Sequence, residues 1–202
     1  MSEFSISDNI DRLTAQIKLL QGELEAEFAI RRAKLRYTLQ GKRAVFEEEI
    51  LRAHRELRVS LAKYVFNANL MTVVTAPVIY AMIVPFVILD ITITLYQWIC
   101  FPVYGLEKVK RSDYFIFDRA HLAYLNILEA LNCAYCSYGN GLMAYASEIA
   151  GRTEQYWCPI KHARKAVSAH QHYIGFADFG DAETFRKKYG HSQQPKTDQN
   201  TV

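Results

Sequence analysis

The chain has 202 residues, half of them hydrophobic, and a formal net charge of +3 at pH 7. That length allows one domain or two small ones, with enough apolar material to bury a core. Basic residues alternate with acidic ones instead of forming a block, so composition gives no case for nucleic-acid binding, and an anionic membrane surface is the more natural partner.

The first 66 residues are rich in Glu, Arg, Lys and Leu. From Ser7 or Asp8, either a fair N-cap, to about Tyr64 there is no proline, and the only glycines are Gly22 and Gly41, which predicts one long helix. Apolar residues step by three and four through Ile10, Leu13, Ile17, Leu20 and Leu24, and resume at Phe46, Ile50, Ala53, Leu57 and Leu61. Between them "AIRRAKLRYTLQGKR" carries six basic residues, which predicts a bend near Gly41 and two antiparallel halves. Residues 1–66 therefore read as a cytosolic coiled-coil-like helix or helical hairpin. It would serve a homo-oligomer or pack on the chain's own C-terminal region, with binding of another membrane protein or of lipid as the sharper alternatives. The charged start "MSEFSISDNIDRL" is unlike a signal peptide and predicts an unprocessed chain.

The next region, 67–105, is almost uncharged. Between Asn69 and Glu107 the only side chain expected to carry charge is Asp90, the signature of a segment that lives in hydrocarbon or in a large core. About 35 residues of helix would be roughly 50 Å long, against a hydrocarbon core of ~30 Å. Two shorter helices fit better, with Pro85 in "PFVILD" turning the chain so that Leu70 to Val84 descends and Ile91 to Val103 returns. A single tilted span is the alternative. A charged Asp at mid-bilayer costs ~3 kcal/mol, so Asp90 must be protonated, paired or held near headgroups. Arg52, Arg55, Arg58 and Lys63 precede the run and Lys108, Lys110, Arg111 and Arg119 follow it, which puts both flanks on the cytoplasmic side. Trp98, Tyr96, Tyr104 and Tyr114 suit the interface.

Residues 106–188 carry the candidate chemistry. Leu122, Leu125, Leu128 and Leu131 are helically spaced, as are Leu142, Tyr145 and Ile149, with "YGNG" predicted as a break between two helices. Cys133 and Cys136, at a three-residue spacing, project from one face near the end of the first helix. Cys158 precedes Pro159, which suits the first turn of a new helix, "CPIKHARKAVSAH", with His162 one turn on. Cys133, Cys136, Cys158 and His162 together make a set of three sulfurs and one nitrogen, common for closed tetrahedral zinc. A cytosolic location keeps thiols reduced, and Lys161, Arg164 and Lys165 would lower the thiol pKa of Cys158. The same four residues could hold an iron-sulfur cluster, the C-x-x-C pair could be a redox dithiol, or the cysteines could be inert core. Cys100 reads as core or lipid-facing. For a catalytic role the candidates are Glu148, Glu154, Asp118 and His121, otherwise helix surface or ion-pair partners such as Glu154 with Arg152. His170 and His172 could bind a metal through their i, i+2 spacing if the segment is extended, but on a helix they face apart and read as surface, and the tail 189–202 reads as disordered.

The apolar run followed by "LNCAYCSYGNGLMAYASEIAGRTEQYWCPIKHARK" resembles a group of bacterial inner-membrane proteins over roughly residues 60–170. That resemblance implies a bacterial cytoplasmic membrane and no particular activity. The whole reads as an all-α protein: an N-terminal coil, a membrane hairpin with both termini cytoplasmic, and a helical Cys/His module with zinc. The favoured role is scaffolding or assembly at the membrane, more an architectural protein than an enzyme. Its alternatives are an oxidoreductase or electron-transfer protein, and a lipid-modifying or transport enzyme using Asp90.

Overall fold

Helix dominates the chain, as the spacing of its apolar residues predicts. The structure, a computed structural model, describes residues 3–40, 43–167 and 169–189. It divides into two compact units, residues 1–64 with 118–130, and residues 65–117 with 131–202.

In the first unit helix α1 runs from Glu3 to Lys34, so Ser7 and Asp8 lie inside it and not at its cap. The helix expected to reach Tyr64 stops here. Arg36 takes a left-handed φ of 53°, and strands β1 (Tyr37–Gln40) and β2 (Arg43–Phe46) pair antiparallel, Tyr37 opposite Phe46 and Gln40 opposite Arg43. Tyr37, Thr38, Val45 and Phe46 are aromatic or β-branched, and their fit to a pleated ribbon outweighs helix continuation. Gly41, the expected bend, lies outside the described residues. Helix α2 (Glu48–Glu56) is tied back to the ribbon, since Arg36 pairs with Glu47 and, at 2.9 Å, with Glu49. The rings of Tyr37, Phe46, His54 and Tyr124 follow one another, the first pair tilted and the next two edge-to-face, at centroid distances of 5.0, 5.3 and 5.2 Å. The α1 stripe of Leu13, Ile17, Leu20 and Leu24 is exposed.

A short helix α3 (Leu61–Phe66) precedes α4 (Leu70–Ala81), which is capped by the Asn69 side chain accepting from Met71 N–H at 2.9 Å. Helix α5 (Ile83–Tyr104) follows after a single residue, Met82, whose angles (−62°, −13°) remain right-handed helical. The chain therefore does not reverse at Pro85, and the expected hairpin is replaced by one apolar helix of 35 residues, Leu70–Tyr104, with a local interruption. Pro85 accounts for that interruption. It has no N–H for the Ala81 carbonyl four residues back, and its ring crowds that carbonyl, yet it sits in the first turn of α5 where no further bond is lost.

Gly105 ends α5 in the left-handed conformation (φ 69°), with Leu106 N–H bonded to Phe101 O at 2.8 Å and Gly105 N–H to Pro102 O at 3.3 Å. The chain then runs back along α5, where Val109 is held by Gln97 and Arg111 by Asp90. Helix α6 (Ile127–Trp157) opens on a capping box: Asn126 Oδ1 accepts from Leu128 and Glu129 N–H at 3.0 Å, and Glu129 Oε2 accepts from Asn126 N–H at 2.9 Å.

From Leu131 onward α6 lies beside the apolar helix and points the same way. Tyr80 meets Asn132 and Tyr135, Asp90 meets Tyr138, Gln97 meets Tyr145, and Tyr104 stacks on Tyr156 at 4.9 Å. The core of this unit is Phe101, Val109, Leu142, Tyr145 and Ile149. Beyond Trp157 the chain is extended, with Ile160 bridged in parallel to Ala177, and it closes with helix α7 (Ala182–Tyr189). The polar tail after Tyr189 lies outside the described residues.

Candidate functional site

Gly139, Asn140 and Gly141 do not break α6. Gly139 lies where a Cβ would stand 3.0 Å from the Phe86 ring, and Gly141 where one would stand 2.7 Å from the Tyr114 carbonyl oxygen. These two glycines serve close approach, while Asn140 donates its side-chain amide to Cys136 O at 2.9 Å, within the helix. The helix therefore gains more from packing than the ~1 kcal/mol that each interior glycine costs.

An unbroken α6 separates the four expected zinc ligands. Cys133 is half-buried and Cys136 exposed on its first half, while Cys158 lies exposed just past its end. From Cys136 to Cys158 is 22 residues, a rise of about 33 Å. The helix expected to begin at Cys158 is also not formed. Lys161 N–H bonds to Ala177 O and Ala177 N–H to Pro159 O, at 2.8 and 2.9 Å, which draws the segment out straight. His162 stacks on Tyr173 and donates its backbone N–H to that hydroxyl at 2.6 Å. Among the described residues no group of three or more His, Cys, Asp or Glu side chains gathers as a metal site. The four residues do not fit zinc or an iron-sulfur cluster held jointly. Protein purified under reducing conditions should carry less than one zinc or iron per chain by mass spectrometry. One metal per chain, lost alike in Cys133→Ser and Cys158→Ser, would overturn that separation.

Two other clusters are built on α6. The first surrounds Asp90, whose side chain is 13% exposed and whose carboxylate pairs with Arg111. It accepts from Tyr138 Oη at 2.9 Å and from Thr94 Oγ1 at 3.4 Å. The Arg111 guanidinium lies 3.9 Å from the centre of the Phe115 ring, which fixes its plane. An open cleft of about 310 Å³ lies over this pair, lined by Asp90, Ile91, Thr94, Leu95 and Arg111. Of the three fates open to an acid in this segment, Asp90 is paired. About two turns further along α5, buried Gln97 accepts from Val109 N–H at 2.9 Å and donates to Tyr145 Oη.

The second cluster fastens the last segment to α6. Glu148, only 7% exposed, accepts from Arg152 Nε at 2.8 Å, His172 Nε2 at 3.0 Å and Gln171 Nε2 at 3.4 Å. Glu154 accepts from His170 Nε2 at 2.7 Å, and the His170 ring lies so close to Gly151 that a Cβ there would be 2.8 Å away. Arg152 thus pairs with Glu148 and not with Glu154. His170 and His172 are half-buried rather than surface residues, because His170 is extended (ψ 161°) and the two rings can both turn toward α6. The sequence signal that could have found them is Glu148 itself. It lies on the same face of α6 as Leu142, Tyr145 and Ile149, and a carboxylate buried there requires donors.

Burial works to raise the Glu148 carboxyl, but the hydrogen bonds from Arg152, His172 and Gln171 outweigh it and hold it below its ordinary value of 4.5. A depressed carboxyl stabilises the fold above pH 4.5, and that contribution is lost as pH falls from 4.5 through the folded value. Amide protection of residues 159–177 should therefore decline below pH 4.5, and Glu148→Gln should flatten the decline. An identical acid profile in Glu148→Gln would refute this assignment.

The fold is helical, and among the described residues one helix, Leu70–Tyr104, is long and apolar enough to cross a membrane. Compared with known protein families, with curated proteins and with solved structures, the chain matches none.

Proposed function

We propose that this protein is a membrane-anchored scaffold of the bacterial inner membrane, held to the bilayer through Leu70–Tyr104. Helix α1 offers its exposed Leu13, Ile17, Leu20 and Leu24 stripe to a second copy or to another membrane protein. The observation that carries the reading is the apolar helix itself, most of whose Val, Ile and Leu side chains stay exposed within their unit. A soluble unit would leave that area in water at roughly 25 cal/mol per Å². Basic residues flank both ends of the helix, which suits a cytoplasmic home for both termini.

The test is fractionation followed by sizing. The protein should pellet with membranes after a high-salt and alkaline wash, and should need detergent for release. In mild detergent it should run as an assembly that Ile17→Asp with Leu20→Asp reduces to single chains. Recovery in the washed supernatant would refute the anchor, and an unchanged assembly size would refute the role of α1.

A second reading keeps one specific observation. Cys133 and Cys136 are free and one turn apart on α6, so a dithiol that cycles through an intramolecular disulfide is the competing function. Quantitative thiol trapping in cells would favour it if this pair, and not Cys158, changed state with the redox conditions.

A further inference from the structure

Building on the membrane association proposed above, we infer that α5 lies in the plane of a single leaflet, with its exposed side against the acyl chains, and does not stand across the bilayer. Three observations carry this, two within one unit and the third from the sequence.

The first is the disposition of apolar surface. Helix α5 turns Phe86, Leu89, Ile93 and Phe101 toward the core, and leaves Val84, Ile88, Ile91, Leu95, Ile99 and Val103 on the other side, 51–78% exposed. That stripe runs the whole length of the helix. Beside it, α6 has no charged residue from Ala130 to Ser147, and exposes Leu131 and Met143.

The second is the position of the charges. The segment that returns along α5 exposes Lys108, Lys110, Arg111 and Asp113. These groups lie beside the body of the apolar helix, because Val109 is fixed to Gln97 and Arg111 to Asp90. Asp90 is about 30 Å from Leu70 and about 21 Å from Tyr104 along the axis. An upright helix could place only ~30 Å in hydrocarbon. If Leu70 to Leu89 filled that depth, Ile91, Leu95, Ile99 and Val103 would remain in water. If Pro85 to Tyr104 filled it, Lys110, Arg111 and Asp113 would be drawn in, at ~3 kcal/mol for each charge near the centre. Lying flat avoids both costs, since the bundle as a whole is apolar on one side and charged along the returning segment.

The third is the charge at the two ends. Basic residues flank both ends of Leu70–Tyr104, and a single upright helix would put one set on the wrong side. With no hairpin to return the chain, a helix in the plane keeps both ends on the same side. Lys108 Nζ, 5.8 Å from the Trp98 ring centre, marks the waterline on this face.

The test reads depth. In full-length protein with Cys100, Cys133, Cys136 and Cys158 replaced by alanine, nitroxide labels are placed singly at Val84→Cys, Ile91→Cys, Leu95→Cys, Val103→Cys and Lys110→Cys. The variants are reconstituted in vesicles of phosphatidylethanolamine and phosphatidylglycerol, and collision rates with oxygen and with a water-soluble nickel chelate give each depth. Each variant must first show wild-type helical circular dichroism, and Ile88→Cys or Ile99→Cys replaces any that does not. Flat seating predicts that the α5 labels share one depth, within about 5 Å and less than ~10 Å below the headgroups, with Lys110→Cys in water. A depth that changes steadily over the ~28 Å between positions 84 and 103 would overturn flat seating and leave the anchor standing. Nickel access at every α5 label would overturn the membrane anchor as well.

Discussion

Alanine in place of Gly141 should lower the thermal midpoint by several degrees, although the same change in an exposed helix interior usually stabilises by ~0.5–1 kcal/mol. The new Cβ would stand 2.7 Å from the Tyr114 carbonyl oxygen and 3.3 Å from Phe115 Cα. Those are backbone atoms of the returning segment, and they cannot rotate aside. Separating that segment from α6 carries an overpacking cost of ~1–3 kcal/mol, which exceeds the gain in helix propensity. Gly139→Ala provides the internal control, since its closest neighbour is the Phe86 ring edge at 3.0 Å, a side chain able to swing. Its effect should be clearly smaller. Thermal unfolding followed by circular dichroism in one detergent compares the two, and a rise in midpoint for Gly141→Ala would refute the close contact.

Removal of Arg111 should expose the cost of an acid inside the apolar helix. Breaking a fully buried ion pair costs ~3–5 kcal/mol, and the partial exposure of Arg111, 46% at its side chain, brings the expected loss for Arg111→Met to about 2 kcal/mol. Tyr138 and Thr94 would then be the donors left to the carboxylate. Asp90→Leu combined with Arg111→Met removes both charges, and it should be more stable than Arg111→Met alone. Denaturant unfolding of the two singles and the double gives the coupling energy. Strictly additive losses would mean that the pair contributes nothing as a pair.

Much of this architecture is legible from local patterns. The apolar run, its flanking cations and the helical state of α1 follow from residue spacing and composition, and Asp90 announces its need for a partner by standing alone in the run. Arg111 was hidden because it is reached only when the chain turns back after Gly105. Pro85 was ambiguous in a different way. Near the middle of an apolar run it marks a turn or a kink equally well, and the helical angles of Met82 decide for the kink. The "YGNG" segment misleads because propensity and packing oppose each other there: two glycines and an asparagine read as a break, whereas Phe86 and the 114–115 backbone make the glycines interior positions. That single reversal also dissolves the expected metal centre, since a distance meant to fold back on itself becomes a helix rise. Pro159 misleads for a related reason, the pairing of the 159–161 segment with Ala177 being invisible to any local rule.

The side-by-side, same-direction pairing of α5 and α6 has a consequence for biosynthesis. Asp90 and Gln97 each wait for a tyrosine 48 residues later in the chain, Tyr138 and Tyr145 respectively. At ribosomal speeds of about 5–20 residues per second, that is a delay of roughly two to ten seconds. For that interval the nascent apolar helix carries polar groups on the side that its mature neighbour will cover. That side is completed only when α6 has been made, so the packing of this unit follows the order of translation.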